Sequence, residues 1–389
     1  MRSLTILTVL IILPLVSSAD TLNPLTSDGS LGNFNSIVGF NQYLYFNTDT
    51  GGVETNTQPG YCCIYDFTPT VVSQAGGPSV NVYNFSSFNI PQGEQLVLFG
   101  TAPAAILSQS DMTIAGNVII DSGGNQGGGG VYQSAGNNGA GPGGGGGGGF
   151  GIGYYSTICG TGYSTGGDGG GGGMASAGSA GAAGLQAPCD NRNGAGGAGG
   201  AAQNLSLLAG GGGGGSGGGC GPPYCTNGGA PGGSGGGAAL FGTTGDFTIT
   251  STGSINADGA NGGCCAGASG GGGAGGDLWF ETGGVWTNDG TVSAQGGNGG
   301  AFPTGSGNYY TFGGNGSGGY VMIDPTQIVN NGIIDVAGGG SSNTGGVTLD
   351  GTLSGTGAIE GSAAPEPSVF WLAAVPLAWL IAQRRFSKA

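Results

Sequence analysis

Gly116-Asn117-Val118-Ile119-Ile120, Gly253-Ser254-Ile255-Asn256-Ala257, Gly290-Thr291-Val292-Ser293-Ala294 and Gly332-Ile333-Ile334-Asp335-Val336 share the pattern Gly-x-apolar-x-apolar, each with another glycine within three residues. Alternating apolar residues place their side chains on one face of a strand. Gly351-Thr352-Leu353-Ser354 reads as a shorter fifth copy. Each copy follows a second short alternating strand, at 112–114, 247–249, 278–280, 321–323 and 347–349. Strand, turn, strand and glycine loop make one unit, which buries its apolar face only when copies stack. The last three full copies begin 37 and 42 residues apart by subtraction of their leading glycines, so loops of unequal length separate the coils.

The fold expected is all-β, a parallel β-helix or β-solenoid with long glycine-rich loops. The unit resembles the parallel β-helix proteins of bacterial surfaces, in which alternate side chains fill the bore and loops project outward. The resemblance covers 90–125 and 240–355 and implies right-handed winding. Asn288 and Asn330 fall two residues before the leading glycine of their copies. Stacked on adjacent coils they would form an amide ladder; as isolated residues they would be ordinary turn formers, the commoner case.

Outward from the repeats, residues 20–103 are aromatic-rich and read as an N-terminal β region, with 80–85 as a half-buried strand and 96–99 as a fully buried one. The first solenoid unit is expected at 104–123 and the remaining repeats at 243–358. Between them, 124–242 is a glycine-rich insertion containing Gly143 to Gly149 and Gly210 to Gly215. Such a tract either stays unstructured or packs glycine chains side by side in the extended threefold helix. The expectation is a long, partly ordered excursion anchored by Tyr154, Tyr155, Ile158 and cysteines.

Both ends carry sorting features. Arg2, an apolar run from Leu4 to Val16 and the small residues Ser17, Ser18 and Ala19 read as a secretory signal peptide, 1–19, cleaved after Ala19. At the other end, a linker over 359–368 holds Pro365-Glu366-Pro367. An apolar stretch from Val369 to Ala382 follows, and then a basic cluster with Arg384 and Arg385. Residues 369–389 are expected to form a transmembrane helix with the basic cluster on the cytoplasmic side. This tripartite tail resembles the PEP-CTERM sorting signal of exported proteins in Gram-negative bacteria that make extracellular polysaccharide. The resemblance implies an exosortase-type sorting enzyme as partner, passage through the inner membrane, and a final place on the cell surface or in the extracellular matrix. Pro376 inside the apolar stretch departs from a regular helix but is tolerated in lipid.

Composition narrows function. From Asp20 to Ala364 there are nineteen acidic residues against Arg192 alone, about eighteen net negative charges, which excludes a nucleic-acid partner. The same charge repels anionic polysaccharide unless divalent cations bridge the two, so extracellular polysaccharide is only a conditional partner. Glycine is 100 of 389 residues, without the Gly-X-Y period of collagen. The eight cysteines (62, 63, 159, 189, 220, 225, 264 and 265) form an even set in an exported chain, which favours disulfides. Cys220 and Cys225 are the candidate short-loop pair; connectivity does not follow from spacing. Zinc is disfavoured because the chain has no histidine and no CxxC.

The absence of histidine removes the usual general base and the Ser-His-Asp triad. Lys388 is the only lysine, so neither a P-loop nor a Schiff-base site is available. No catalytic or cofactor-binding residue is assigned, and the expected function is a non-enzymatic structural or adhesive surface protein. The alternative is a secreted carbohydrate-binding or carbohydrate-active β-helix protein. Hydrolysis would need carboxylates across the bond, and Asp121, Asp258 and Asp335 recur near the repeat strands. Repeated positions, however, usually serve the repeat. Calcium is the one cofactor kept open, through oxygen ligands on acidic loops. No EF-hand loop is present, and Gly276-Asp277-Leu278 is only a fragment of a calcium-binding nonapeptide.

Overall fold

The computed structural model describes residues 26–35, 43–55, 65–121, 155–156, 163–164, 168–183, 196–217, 230–263, 268–304, 309–341 and 344–363. Among these residues the chain is all-β and β-solenoid-like, and the only helical segment is the 3-10 turn Gly339–Ser341. No helix among them is long and apolar enough to cross a membrane.

Each coil contributes one strand to each of three parallel sheets. Sheet 1 stacks Val80–Phe85, Ala104–Ser108, Ala238–Thr243, Asp277–Thr282, Tyr320–Asp324, Gly346–Leu349 and Ser362–Ala363. Sheet 2 stacks Asn33–Asn35, Ser87–Ile90, Met112–Ile114, Phe247–Ile249, Val285–Asn288, Gln327–Asn330 and Thr352–Ser354. Sheet 3 stacks Tyr43–Asn47, Gln95–Phe99, Asn117–Ile120, Ser254–Asn256, Thr291–Ser293, Ile333–Asp335 and Ala358–Glu360.

The four full copies of the Gly-x-apolar-x-apolar motif are consecutive strands of sheet 3. Their apolar residues form one column, with Val118 beside Ile255, Ile255 beside Val292, Val292 beside Ile334, and Ile334 beside Ile359. All but Ile359 are fully buried in the bore. The leading glycines are dictated by the corner. A Cβ on Gly253 would stand 2.1 Å from the Ile114 carbonyl oxygen, and one on Gly332 would stand 2.1 Å from that of Gly290.

Several sequence expectations need correction. The coil has three strands, not two, and the paired strands fall on different sheets: 112–114 and 247–249 lie in sheet 2, but 278–280, 321–323 and 347–349 lie in sheet 1. The supposed fifth copy at 351–354 belongs to sheet 2; sheet 3 continues at Ala358–Glu360 behind Gly357. Winding also starts before residue 104, because Val80–Phe85, Ser87–Ile90 and Gln95–Phe99 already form a complete coil paired in parallel with the next. Val80–Phe85 is buried on both faces except at Asn84, not half-buried.

The N-terminal end is sealed. Gly52–Thr55, Tyr65–Asp66 and Thr70–Val72 add antiparallel strands, and aromatic rings plug the bore. Phe34 stacks on Phe88 at 4.6 Å, Phe46 meets Tyr83 edge-on at 4.8 Å, and Phe67 meets Phe85 edge-on at 5.0 Å. These separations suit favourable ring pairing. At the other end Thr352–Ser354 is exposed along its length.

The glycine-rich segments leave the solenoid after sheet 3 and return at sheet 1. They fold back over the outer face of sheet 1, where Met174, Leu208 and Ala274 join Val82, Leu107, Leu240, Trp279 and Tyr320 in a second buried cluster. Sheet 1 is therefore covered on both faces, which accounts for near-continuous apolar strands such as Ala104–Ser108.

Candidate functional site

The most distinctive local structure is built from backbone alone. In segment 268–276, Gly270, Gly273 and Gly276 donate N–H groups to the carbonyls of Gly263, Ala260 and Ala257 at 2.7–3.0 Å. Gly271 and Ala274 donate to Gly215 and Gly212, and Gly272 and Gly275 to Gly314 and Ser317. In return its carbonyls accept from Ala230, Gly233 and Gly236, from Gly169 and Gly172, and from Gly297 and Gly300. Six chain segments thus surround one, three as acceptors and three as donors, and every third residue returns to the same neighbour. That is the period of the extended threefold helix, which has no internal hydrogen bonds and must find partners sideways.

Such packing requires glycine by contact distance. A Cβ on Gly273 would stand 1.8 Å from the Ser234 oxygen, on Gly271 2.0 Å from that of Gly170, and on Gly172 1.8 Å from that of Gly212. The segments 168–173, 210–217 and 268–276 are buried throughout, and lateral backbone hydrogen bonds run along each of them. Lateral hydrogen bonding in place of apolar side chains offsets the entropy lost on ordering glycine. Of the two arrangements open to the 124–242 tract, its described part takes the side-by-side one, and it recruits loop segments 257–263, 294–300 and 313–319 as well. Gly210 to Gly215 lie inside this lattice; Gly143 to Gly149, Tyr154 and Ile158 lie outside the described residues, and Tyr155 begins the short strand Tyr155–Ser156.

Polar side chains join successive coils in columns. Asn288 and Asn330 stack in register at bore positions that Ile90, Ile114 and Ile249 occupy in earlier coils. Asn288 Nδ2 donates to Asn330 Oδ1 at 2.9 Å, its Oδ1 accepts the Gly290 N–H at 3.1 Å, and Asn330 Nδ2 donates to the Ala358 carbonyl at 3.3 Å. The amide ladder is thus present. Ser108, Thr243 and Thr282 form another column; Thr243 Oγ1 donates to the Ser110 carbonyl at 2.5 Å and Thr282 Oγ1 to that of Gly245.

The recurring carboxylates are engaged in the same way. Asp258 Oδ1 accepts the Ser293 hydroxyl at 2.5 Å and the Gln295 N–H at 2.6 Å, while Oδ2 accepts from Asn256 Nδ2 at 2.7 Å. Asp335 accepts the Ala337 N–H at 2.9 Å and the Gln295 side-chain amide. Asp121 is exposed, one residue beyond its strand. A cavity of about 440 Å³ between the excursion and the N-terminal coil is lined by Pro78, Thr101, Gln203, Asn204 and Leu207 among others, none of them acidic or basic. No group of three or more Cys, Asp or Glu among the described residues is placed to hold a metal ion.

Asp277 takes a place that the Gly276-Asp277-Leu278 fragment did not signal. It is not a loop ligand: the first residue of Asp277–Thr282, it is completely buried on the outer face of sheet 1, beneath the excursion. Burial pushes its carboxyl well above the usual range, opposed by the Ala209 N–H and the Trp279 indole. Asp324 is also raised, by partial burial and then by Asp350, its neighbour on the next coil. Ala19, all eight cysteines including Cys220 and Cys225, Arg192, Pro365, Glu366, Pro367, Arg384 and Arg385 lie outside the described residues. No family model, curated protein or solved structure matches the chain.

Proposed function

We propose that this chain is an exported, non-enzymatic surface or extracellular-matrix protein, structural or adhesive in role, delivered through its PEP-CTERM-like tail. The reading is supported above all by how its polar groups are used: the recurrent amides and the carboxylates of Asp258 and Asp335 bond to the adjacent coil or corner, and the glycine segments bond to one another. Such a molecule offers persistence and surface. Right-handed winding is inferred from the strong preference of parallel crossover connections. The tail, 369–389, is taken to span the inner membrane until an exosortase-type enzyme acts at Pro365-Glu366-Pro367.

Carbohydrate binding is the second reading, favoured by the antiparallel ribbon Ala301–Thr304 with Tyr309–Phe312, which ends in an exposed Phe312. No charged residue lies between Asp289 and Asp324, so the ribbon suits neutral sugars. Deleting Pro365 to Pro367 tests the first reading. Retention of the protein in the membrane and loss of matrix material are expected; unchanged release and unchanged matrix would refute it.

A further inference from the structure

Two carboxylates among the described residues are fully buried: Asp168 lies inside the glycine lattice and accepts the Ser269 N–H at 2.7 Å, whereas Asp277 lies at the junction between solenoid and lattice. Its Oδ2 accepts the Ala209 N–H of the excursion at 3.3 Å, and its Oδ1 has no hydrogen-bond partner among the described residues. Trp279, two residues along the same face, is 4 % exposed, and its indole Nε1–H lies near the carboxyl but outside hydrogen-bonding geometry, so it opposes the effect of burial only weakly. Beside Asp277 in register stand Ala238 on the preceding coil and Tyr320 on the following one. Tyr320 is the only titratable group facing it from those strands, and its own phenol is raised, by burial first. The elements packed over this face contribute Met174, Leu208, Ala209 and Ala274. None of these carries charge, and no lysine or arginine occurs among the described residues.

A carboxylate buried with one backbone donor and no cation is strongly disfavoured. The same carboxyl in its neutral form fits the apolar interface and retains the Ala209 contact. We propose that Asp277 is a proton-dependent latch: its neutral carboxyl lets the glycine-rich excursion lie on sheet 1, and loss of the proton releases that excursion while the solenoid stays wound. The bore has its own core on the opposite face of sheet 1, independent of this interface.

The docked state binds the proton more tightly than the released state, so docking is fully supported below the ordinary carboxylate range. It weakens about tenfold per pH unit above that range, up to the pKa of the docked state. In an acidic matrix the excursion is held closed, and alkaline surroundings loosen it.

Amide hydrogen exchange of the exported protein across pH 4–9, corrected for intrinsic rates, tests the latch. Peptides within 205–217 and 268–276 should lose about tenfold protection per pH unit in the wild type, while a bore peptide within 104–120 keeps its protection. Asp277→Asn should flatten the dependence; Asp277→Ser serves the same purpose should the amide variant fold poorly. Wild-type protection independent of pH, a slope shared equally by 104–120, or an undiminished slope in a folded neutral variant would each overturn the proposal.

Discussion

Replacing Gly271 with alanine puts a single methyl group into the centre of the glycine lattice. Its Cβ would stand 2.0 Å from the Gly170 oxygen, whereas ordinary contact begins at 3.4 Å, so segment 168–173 must retreat by about 1.4 Å. The hydrogen bonds from Gly169 to Ser269 and from Gly172 to Gly272, each 2.9 Å, then stretch past bonding distance. Buried groups left unpaired cost about 1–3 kcal/mol each, against which alanine gains about 0.4–1 kcal/mol by restricting the unfolded chain. The net expectation is a loss of about 2–5 kcal/mol of docking. Native-state cleavage by thermolysin beside Leu205, Leu207 and Leu208 reports the open population, and should accelerate from roughly thirtyfold to a few thousandfold. Ala180→Ser, at an exposed position of the same lattice, should change nothing. An unordered tract would respond with the opposite sign, since only the alanine gain would remain. Unchanged or slower cleavage of Gly271→Ala would therefore refute the lattice.

Other expectations concern the solenoid. Asn288→Ala strands the Gly290 N–H and one face of Asn330, and should cost about 1–3 kcal/mol in urea denaturation. Asn288→Ile together with Asn330→Ile extends the isoleucine column of the earlier coils, and should cost less than the sum of the single changes; strict additivity would show that the two amides do not interact. Phe247, buried among Phe241, Phe280 and Met112, should lose about 3–5 kcal/mol on truncation to alanine. A loss below 1 kcal/mol in the same melts would place it outside the bore.

Sheet 3 was legible in the sequence because both of its signals are local. One face of each strand fills the bore and the other meets solvent, giving alternation, and the corner beneath the previous coil admits only glycine. Sheet 1 was harder because the excursion covers its outer face: Ala104–Ser108 and Ala238–Thr243 are buried at every position and lose the alternation. The sheet 2 strand Val285–Asn288 went unseen because it is four residues long and places an asparagine inside the bore. Glycine lattices leave almost no local trace, since the pairing partners of 268–276 range from residue 169 to residue 317. The burial of Asp277 depends on the same distant contacts, so a lone Gly-Asp-Leu could not announce it.

Backbone pairing around 268–276 holds the glycine lattice together, and a crystal structure of the exported protein, phased from its own sulfur atoms, examines that pairing directly. The density should show Gly271 donating to Gly215 and accepting from Gly233, within a ring of six extended neighbours. A segment that instead crosses solvent as a separate loop, or pairs as an ordinary two-sided β-ladder, would contradict it.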